Sequence, residues 1–241
     1  MQLSGYLTLI PTPIFEALPL EPVALDLLKQ HSLDEQTLLL VEEHKVARQR
    51  WMRWGLPREA IDRFILFNEH TQEKQVPELI AALKSGKRAY LMSDGGLPAF
   101  YDPGQELVNA CHENKVKVTA TPFPNSIALA IALSGFSHQE FHFAGFLPAN
   151  ADDRKRSLER LSQQKSTLVL MDTPYRLQAL LKDLAQSALK GRLIFLGTGL
   201  NSPEEKLFRG TPSAILNEIG SLNKVEFVLV INSVISRQNF R

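Results

Sequence analysis

Short apolar runs alternate with amphipathic segments along the first half of the chain. Apolar runs without polar alternation are typical of strands buried on both faces of a parallel sheet, and the segments between them predict the covering helices. The predicted strands are Leu7–Ile10, Thr37–Val41, Phe64–Phe67, Arg88–Met92 and Val116–Ala120, and the predicted helices are Val23–Gln30, Val46–Arg53, Glu78–Lys84 and Gln105–Asn114.

The second half repeats this α/β alternation. Its predicted strands are Phe141–Ala144, Thr167–Met171, Leu193–Leu196 and Val225–Ile231, and its predicted helices are Ile127–Leu133, Asp153–Gln163, Tyr175–Ser187 and Pro212–Ile219. Between the halves, Pro122 and Pro124 interrupt regular pairing, and Asn125 or Ser126 can cap the helix that follows. We therefore expect two α/β domains, 1–121 and 122–241.

The segment after the fourth predicted strand, SDGGLPAFYDPG (93–104), contains too many glycines and prolines to continue a strand. Asp102 can act as the N-cap of the next helix, with Pro103 at its first position and Gln105 closing a capping box. This explains the end of the segment. Residues 93–99 leave two readings open, an ordinary turn or a close approach of a ligand to the backbone.

Composition narrows the class of protein. The chain has 241 residues, and its 27 Lys and Arg nearly balance 26 Asp and Glu, so any nucleic-acid site must be a local patch. The single cysteine, Cys111, excludes an internal disulfide and lies beside an apolar helix stripe, which favours a packed core thiol. No signal peptide and no apolar stretch of the ~20 residues that span a bilayer is evident. We expect a cytoplasmic protein.

Several familiar sites are absent from the sequence. It has no Walker loop, no G-x-G-x-x-G or G-x-S-x-G motif, and no Cys/His cluster with metal-site spacing, so we expect no bound metal. Unusual residues instead follow four predicted strands, at a position where open α/β sheets bind ligands. These strand ends are Pro11-Thr12-Pro13-Ile14, Glu42-Glu43-His44, Ser93-Asp94-Gly95-Gly96 and Met171-Asp172-Thr173-Pro174-Tyr175.

Together these segments resemble the tetrapyrrole methylase-like class of S-adenosylmethionine-dependent methyltransferases. Within that class, the chain is most similar to the bacterial small-subunit ribosomal RNA cytidine 2′-O-methyltransferases. The similarity extends over nearly the whole chain in one order. It comprises LIPTPI (9–14), VEEHKVAR (41–48), SDGGLPAFYDPG (93–104), PFPNS (122–126), SGF and FHFAGFLPA (134–149), DTPYR (172–176) and VEFVLVI (225–231).

The resemblance implies the class III methyltransferase fold, with two α/β subdomains and S-adenosylmethionine in the cleft between them, and it implies a homodimer. Gly95 and Gly96 would let the backbone approach the cofactor, and for Gly95 we expect a positive φ. Asp94 would accept hydrogen bonds or balance the sulfonium charge. The implied cofactor-binding residues are Pro11, Ser93, Asp94, Gly95, Gly96, Tyr101, Asp102, Asn125, Ser126, Met171, Asp172, Thr173, Leu200 and Phe227.

A ribose 2′-hydroxyl is a poor nucleophile, so its methylation would benefit from a general base. The candidates are Glu42, Glu43 and His70. The family resemblance does not assign one of them, because Glu43-His44 departs from the Glu-Asp-Thr-Arg segment of the family.

Basic residues and tryptophans are interleaved in residues 44–63, a pattern that suits phosphate contact and base stacking. The alternative is a solvated helix whose Trp51 and Trp54 pack inward. A second basic run, 154–156, either grips phosphates or only faces solvent. The candidate RNA-binding residues are Arg48, Arg50, Arg53 and Arg154.

Two alternatives to ribosomal RNA methylation stay open. Departures from the family at Glu43-His44, Phe123 and GTGLNSPEE (197–205) are compatible with a protein that binds S-adenosylmethionine without methylating anything. The sequence reaches Arg241 without the small helical extension usual in the ribosomal RNA enzymes. This keeps open another RNA, a tetrapyrrole or another small molecule as the acceptor.

Overall fold

The computed structural model describes residues 5–123, 125–222 and 224–234. The chain divides into two compact units, Met1–Phe123 and Pro124–Arg241, two residues after the predicted boundary. Each unit contains one five-stranded sheet, with a hydrophobic cluster on each face.

The strands of the first unit are β1 (Tyr6–Ile10), β2 (Thr37–Val41), β3 (Phe64–Leu66), β4 (Arg88–Met92) and β5 (Lys117–Ala120). They form a parallel sheet in the order β3-β2-β4-β1-β5, as the apolar runs predicted. Its helices are α1 (Pro22–His31), α2 (His44–Arg53), α3 (Gln72–Lys84) and α4 (Gln105–Glu113), with a 3₁₀ helix at Arg58–Arg63.

Alternate residues of β4 point to opposite faces of this sheet. Tyr90 and Met92 pack with α1 and α2, whereas Ala89 and Leu91 pack with α3 and α4. The chain therefore leaves β1 for a helix on one face and leaves the neighbouring β4 for a helix on the other. Loops that diverge in this way mark the topological switch point of an open sheet, where a crevice opens beyond the strand ends.

The strands of the second unit are β6 (Phe141–Phe146), β7 (Thr167–Met171), β8 (Ile194–Thr198), β9 (Lys206–Gly210) and β10 (Phe227–Ile231). They form a mixed sheet in the order β6-β7-β10-β8-β9, with β6 and β7 parallel and the other described pairs antiparallel. Because β10 runs back between β7 and β8, its first residue lies at the edge where those two strands end.

Helices cover both faces of this second sheet. Leucines and isoleucines of three helices form one cluster, and Ile127, Ala130 and Ile131 of the remaining helix, α5, form the other. The helices are α5 (Ser126–Ser134), α6 (Ala151–Ser162), α7 (Leu177–Gln186) and α8 (Pro212–Glu218).

The main differences from the predicted elements have physical causes. Strand β9 was not predicted because its sequence, KLFRG, has no apolar run and lies at an exposed sheet edge. Helix α3 begins at Gln72, six residues before the predicted start, and Pro77 lies inside it at the cost of one backbone hydrogen bond. Cys111 is a buried core thiol, as expected, and burial raises its pKa to about 11.

Candidate active site

The loops after β1 and β4 meet at the switch point of the first sheet. Thr12 and Gly96 exchange two backbone hydrogen bonds, of 2.9 and 3.0 Å, and form an isolated antiparallel bridge. Thr12 Oγ1 also donates to the carbonyl of Ser93 at 3.1 Å, and Ser93 Oγ lies 3.1 Å from the carbonyl of Gly96. Pro11 is buried at the start of the first loop. The two loops are therefore fixed to each other before any ligand binds.

Gly95 and Gly96 differ in backbone conformation and in the atoms that surround them. The φ of Gly96 is +108°, a conformation that side chains rarely adopt. Gly95 is not among the residues with positive φ, so the backbone reason given for it from the sequence is wrong and belongs to Gly96. A Cβ at Gly95 would stand 3.4 Å from Nη2 of Arg50, and Gly95 itself is exposed. The exposed backbone at Gly95 can be approached by a ligand.

The predicted capping role of Asp102 is wrong. Helix α4 begins at Gln105 after Gly104, whose φ is +129°, and no side chain caps it. Tight turning at Ala99, Tyr101 and Gly104, all with positive φ, brings the Asp102 carboxyl back towards Ser93. Positive φ outside glycine is uncommon and costs about 1–3 kcal/mol, and such residues cluster at functional sites.

Three carboxyl groups, from Glu42, Asp94 and Asp102, lie beyond the ends of β2 and β4. Oε2 of Glu42 accepts a hydrogen bond from the backbone N–H of Asp94 at 3.0 Å. Burial, followed by the charges of Glu42 and Glu43, raises the pKa of Asp94 to about 6. Burial and the charge of Glu42, with a smaller contribution from Asp94, raise the pKa of Asp102 to about 7. Such a cluster of acids favours a positively charged ligand.

Arg50 lies beneath these loops. Its exposed fraction is 6%, and Nη1 donates to the carbonyl of Pro13 at 2.8 Å. Burial lowers the pKa of its guanidinium, and the charges of Glu16 and Asp94 oppose that change. Arg50 was assigned to RNA from the sequence, but its guanidinium is used inside the first unit and is not a surface cation.

In the second unit, Asp172 directly follows β7 and is buried. Its Oδ1 accepts from the N–H of Thr173 at 2.7 Å and lies 3.2 Å from Nη1 of Arg176. No protein hydrogen bond reaches Oδ2 from the described residues. Burial raises the pKa of this carboxyl. A buried acceptor without a donor is costly, so Oδ2 is suited to receive a hydroxyl or amino group of a ligand.

The other predicted cofactor residues of the second unit divide into two groups. Val228 pairs with Met171 and Phe227 pairs with Thr198, so Met171 and Phe227 share the sheet edge at which Asp172 lies. Phe227 and Leu200 are buried in apolar clusters. Asn125 caps α5 by accepting from the N–H groups of residues 127 and 128, and Ser126 begins that helix. Ligand contact by any of these residues stays a prediction.

Arg154 is also buried, with an exposed fraction of 8%. Its Nε donates to Asp183, and its Nη1 donates to the carbonyls of Pro148 and Ala149 at 3.3 and 2.9 Å. Nη2 of Arg176 also donates to the Pro148 carbonyl, at 2.8 Å. Arg154 therefore fixes the loop after β6, and this placement does not support its predicted contact with RNA.

The family model for tetrapyrrole (corrin/porphyrin) methylases matches residues 22–215, which include the strand-end loops at Glu42, Asp94 and Asp172. The chain belongs to this family. It is a methyltransferase, and the resemblance found from the sequence is confirmed.

Curated relatives of this tetrapyrrole methylase carry the name "Ribosomal RNA small subunit methyltransferase I". The protein of Thermotoga maritima is 28% identical over 95% of this chain and 98% of its own length, and that of a Synechocystis species is 31% identical over 94% and 78%. Among solved structures, uroporphyrin-III-C-methyltransferase of Thermus thermophilus superposes on this chain with a TM-score of 0.55 and 17% identity. The match includes 96% of this chain and 95% of the Thermus chain. That likeness shows the shared fold.

The three predicted base candidates of this tetrapyrrole methylase have different surroundings. Glu42 belongs to the carboxyl cluster. Glu43 caps α2 by accepting from the N–H of Val46 at 2.8 Å, so its carboxylate already has a structural role. His70 is 81% exposed and faces the carboxylate of its neighbour Glu69 at 3.5 Å. Of the three side chains, that of Glu42 hydrogen bonds to the loop after β4.

The tryptophans of the basic segment pack inward, as the solvated-helix alternative predicted. Trp51 is 1% exposed and donates from Nε1 to the carbonyl of Pro57 at 2.8 Å, and Trp54 packs against the same cluster. Arg53 is exposed but donates to the carbonyl of Glu16. Arg48 remains an exposed cation on this helix.

Sequence reasoning missed Arg176 and misassigned Arg50, and for Ser93 it predicted cofactor contact but not the link to Asp102. Arg176 binds Asp172 and the loop after β6, and Ser93 ties the turn to Asp102. Arg50 was found but assigned to the surface. The sequence signal for this buried role was the position of Arg50, one residue before Trp51 on a predicted helix. Within the described ranges, no group of three His, Cys, Asp or Glu could hold a metal, and no helix there is long and apolar enough to cross a membrane.

Proposed function

We propose that this methyltransferase transfers a methyl group from S-adenosylmethionine to a ribose 2′-hydroxyl of small-subunit ribosomal RNA. The family supplies the reaction class, and the names of the curated relatives supply the acceptor. The structural observation that carries the proposal is the acid-rich switch point between β1 and β4, where a glycine turn with exposed backbone adjoins Asp94 and Asp102.

The residues at this edge fit the proposed cofactor. S-adenosylmethionine supplies an electrophilic methyl group on a positively charged sulfonium. Glu42, Asp94 and Asp102 provide negative charge, and the pKa values of Asp94 and Asp102 are raised first by burial and then by the charge of Glu42. Gly95 and Gly96 present backbone without side chains.

The chain's own contribution to the reaction is orientation and proton transfer. The Thr12–Gly96 bridge fixes the loops in advance, which limits the entropy lost on binding. The acceptor hydroxyl must lose a proton, and Glu42 and Asp102 are the carboxyl groups placed to take it. Asp102, with a pKa of about 7, has the better match to a base that operates near neutral pH.

The length of this chain does not count against a ribosomal acceptor. This chain matches 98% of the length of the Thermotoga maritima relative. A protein of similar size is therefore named as a ribosomal RNA methyltransferase. The deciding experiment maps ribose methylation in small-subunit RNA from cells that lack the protein. We expect one methylated ribose to be lost and restored by the wild-type gene. An unchanged methylation map would favour a small-molecule acceptor, such as a tetrapyrrole, or a protein that only binds the cofactor.

The resemblance also implies a homodimer and a cytoplasmic location, and both stay part of this proposal. Sedimentation of the purified protein at several concentrations tests the first, and cell fractionation tests the second.

A further inference from the structure

Two arginines on one face of α2 donate to the loop that follows β1. Nη1 of Arg50 binds the carbonyl of Pro13, and Nη1 of Arg53, one turn later, binds the carbonyl of Glu16. The two residues differ in environment, because Arg53 is exposed and Arg50 is almost fully buried. The contact made by Arg53 is therefore weakened by solvent, whereas that of Arg50 is protected from it.

Arg50 also reaches the second loop of the candidate active site. Its Nη2 lies 3.4 Å from the position that a Cβ would take at Gly95, and its charge acts on the carboxyl of Asp94. One guanidinium thus lies against both the loop after β1 and the glycine turn after β4. These are the loops that the Thr12–Gly96 bridge joins at their other side.

The surroundings of Arg50 do not satisfy all of its hydrogen-bond donors, which lowers stability. Its Nε has no acceptor among the described residues, and neither has Nε1 of Trp54. Both residues line a cavity of about 10 Å³ together with Ser93 and Asp94. A buried donor without an acceptor costs roughly 1–3 kcal/mol, and such costs are concentrated at functional sites.

We propose that Arg50 is a positioning residue of the cofactor site, which holds the loop at Pro13 and the glycine turn at Gly95 in their binding arrangement. The inference rests on the proposed use of S-adenosylmethionine. It assigns to Arg50 a role in cofactor binding through the two loops, in place of a contact with RNA.

The charge of Arg50 gives this role a second measurable consequence. The guanidinium lowers the pKa of Asp94, as does a backbone hydrogen bond from Glu43, against the larger effects of burial and of the charges of Glu42 and Glu43. Removing the charge raises that pKa further. The pH at which cofactor affinity is half-maximal should then move to higher values.

The test compares Arg50→Met and Arg50→Lys with a matched control, Arg63→Met. Arg63 belongs to the same unit and also donates to backbone carbonyls, those of Ser32, Asp34 and Thr37, but it does so at the opposite end of the sheet. Titration calorimetry measures the affinity for S-adenosylmethionine and for S-adenosylhomocysteine, which lacks the sulfonium charge. Hydrogen exchange without ligand measures the protection of peptides that contain Thr12 and Gly96.

For Arg50→Met we expect both ligands to bind about tenfold more weakly or worse, faster exchange at the two loops, and the shift to higher pH. Arg50→Lys should lose affinity while keeping the wild-type pH midpoint, because it restores the charge without the guanidinium geometry. Arg63→Met should lower thermal stability and leave all three measurements at their wild-type values. If Arg50→Met does not fold, the cofactor affinity and hydrogen exchange of Arg50→Lys test the inference.

Three results would overturn the inference. One is wild-type affinity and wild-type exchange in the Arg50 variants. Another is an equal loss of affinity in Arg63→Met, which would make the effect one of general stability. A third is tighter binding of S-adenosylmethionine with unchanged binding of S-adenosylhomocysteine in Arg50→Met, because charge alone would then explain the residue. Failure of the wild-type protein to bind either ligand would instead contradict the proposed function.

Discussion

Oε2 of Glu42 accepts a hydrogen bond of 3.0 Å from the backbone N–H of Asp94, and this bond links the ends of β2 and β4. The same contact places the charge of Glu42 beside the carboxyls of Asp94 and Asp102, whose pKa values are raised first by burial and then by this charge. One interaction therefore fixes the loop and maintains the electrostatic conditions that favour a cationic ligand.

Asp102→Asn should make the free enzyme more stable at neutral pH. The folded-state pKa of Asp102, about 7, lies above its value in the unfolded chain, about 3.9. Its proton-linked stability is therefore complete below about pH 4 and is lost as pH rises towards 7. Asparagine removes this loss, so the unfolding temperature should rise by about 2–4 °C at pH 8, for an effect on the order of 1 kcal/mol.

Thermal unfolding of wild type and Asp102→Asn at acid and at slightly alkaline pH measures this difference. The two proteins should converge in acid, where the carboxyl is protonated in both states. A gain of the same size at both pH values would show that the ionisation of Asp102 is not the cause. The variant should also bind S-adenosylmethionine more weakly, so stability and affinity move in opposite directions.

The two glycines of the turn should respond differently to alanine. Gly96→Ala places a side chain at a φ of +108° and should lower the free energy of unfolding by on the order of 1–2 kcal/mol. At Gly95→Ala the new Cβ would lie 3.4 Å from Nη2 of Arg50 and 3.8 and 3.9 Å from the carbonyl oxygens of Pro13 and Ile14, so the variant should preserve stability while weakening cofactor binding. Denaturant titration and calorimetry measure the two effects. Equal loss of stability in both variants would refute the distinction.

Arg154→Met should destabilise the protein without a specific effect on RNA. It leaves the carboxylate of Asp183, whose side chain is 15% exposed, without its partner, and because breaking a fully buried pair costs about 3–5 kcal/mol, we expect a loss near or below the lower end of that range. Arg156→Met is the matched control, because its side chain is 73% exposed and its pairing with Asp153 contributes little. Equal denaturant midpoints for the two variants would contradict the structural role of Arg154. A folded Arg154 variant with weakened RNA binding would support the RNA contact predicted from the sequence.

Contact with RNA through α2 should depend on its exposed cations and not on Arg50. Lys45 and Arg48 are exposed near the start of the helix. Replacing both with glutamine should weaken RNA binding and reduce the slope of log affinity against log salt by about 0.7 per lost phosphate contact. Cofactor affinity should not change. Filter binding over a salt series would contradict this expectation if affinity and slope both stayed at wild-type values.

The strand-end loops could be predicted from the sequence because glycines, prolines and carboxylates after an apolar run have a local meaning. The roles of Arg50 and Arg154 could not. A basic residue on an amphipathic segment predicts an exposed face, but these two guanidiniums bind partners that are distant in sequence, the carbonyl of Pro13 for Arg50 and the carboxylate of Asp183 for Arg154. Asp102 was misjudged for a related reason, since the turn that brings it back to Ser93 depends on positive φ values that local propensity does not specify.

The most direct test of the proposed function is transfer of tritiated methyl groups from S-adenosylmethionine to small-subunit particles purified from cells that lack this protein. We expect that the wild-type protein labels a ribose of the small-subunit RNA, and that Asp94→Asn, which removes a carboxylate of the proposed cofactor site, labels it far more slowly. An absence of label in the RNA, from a preparation that binds S-adenosylmethionine in the calorimeter, would contradict this expectation.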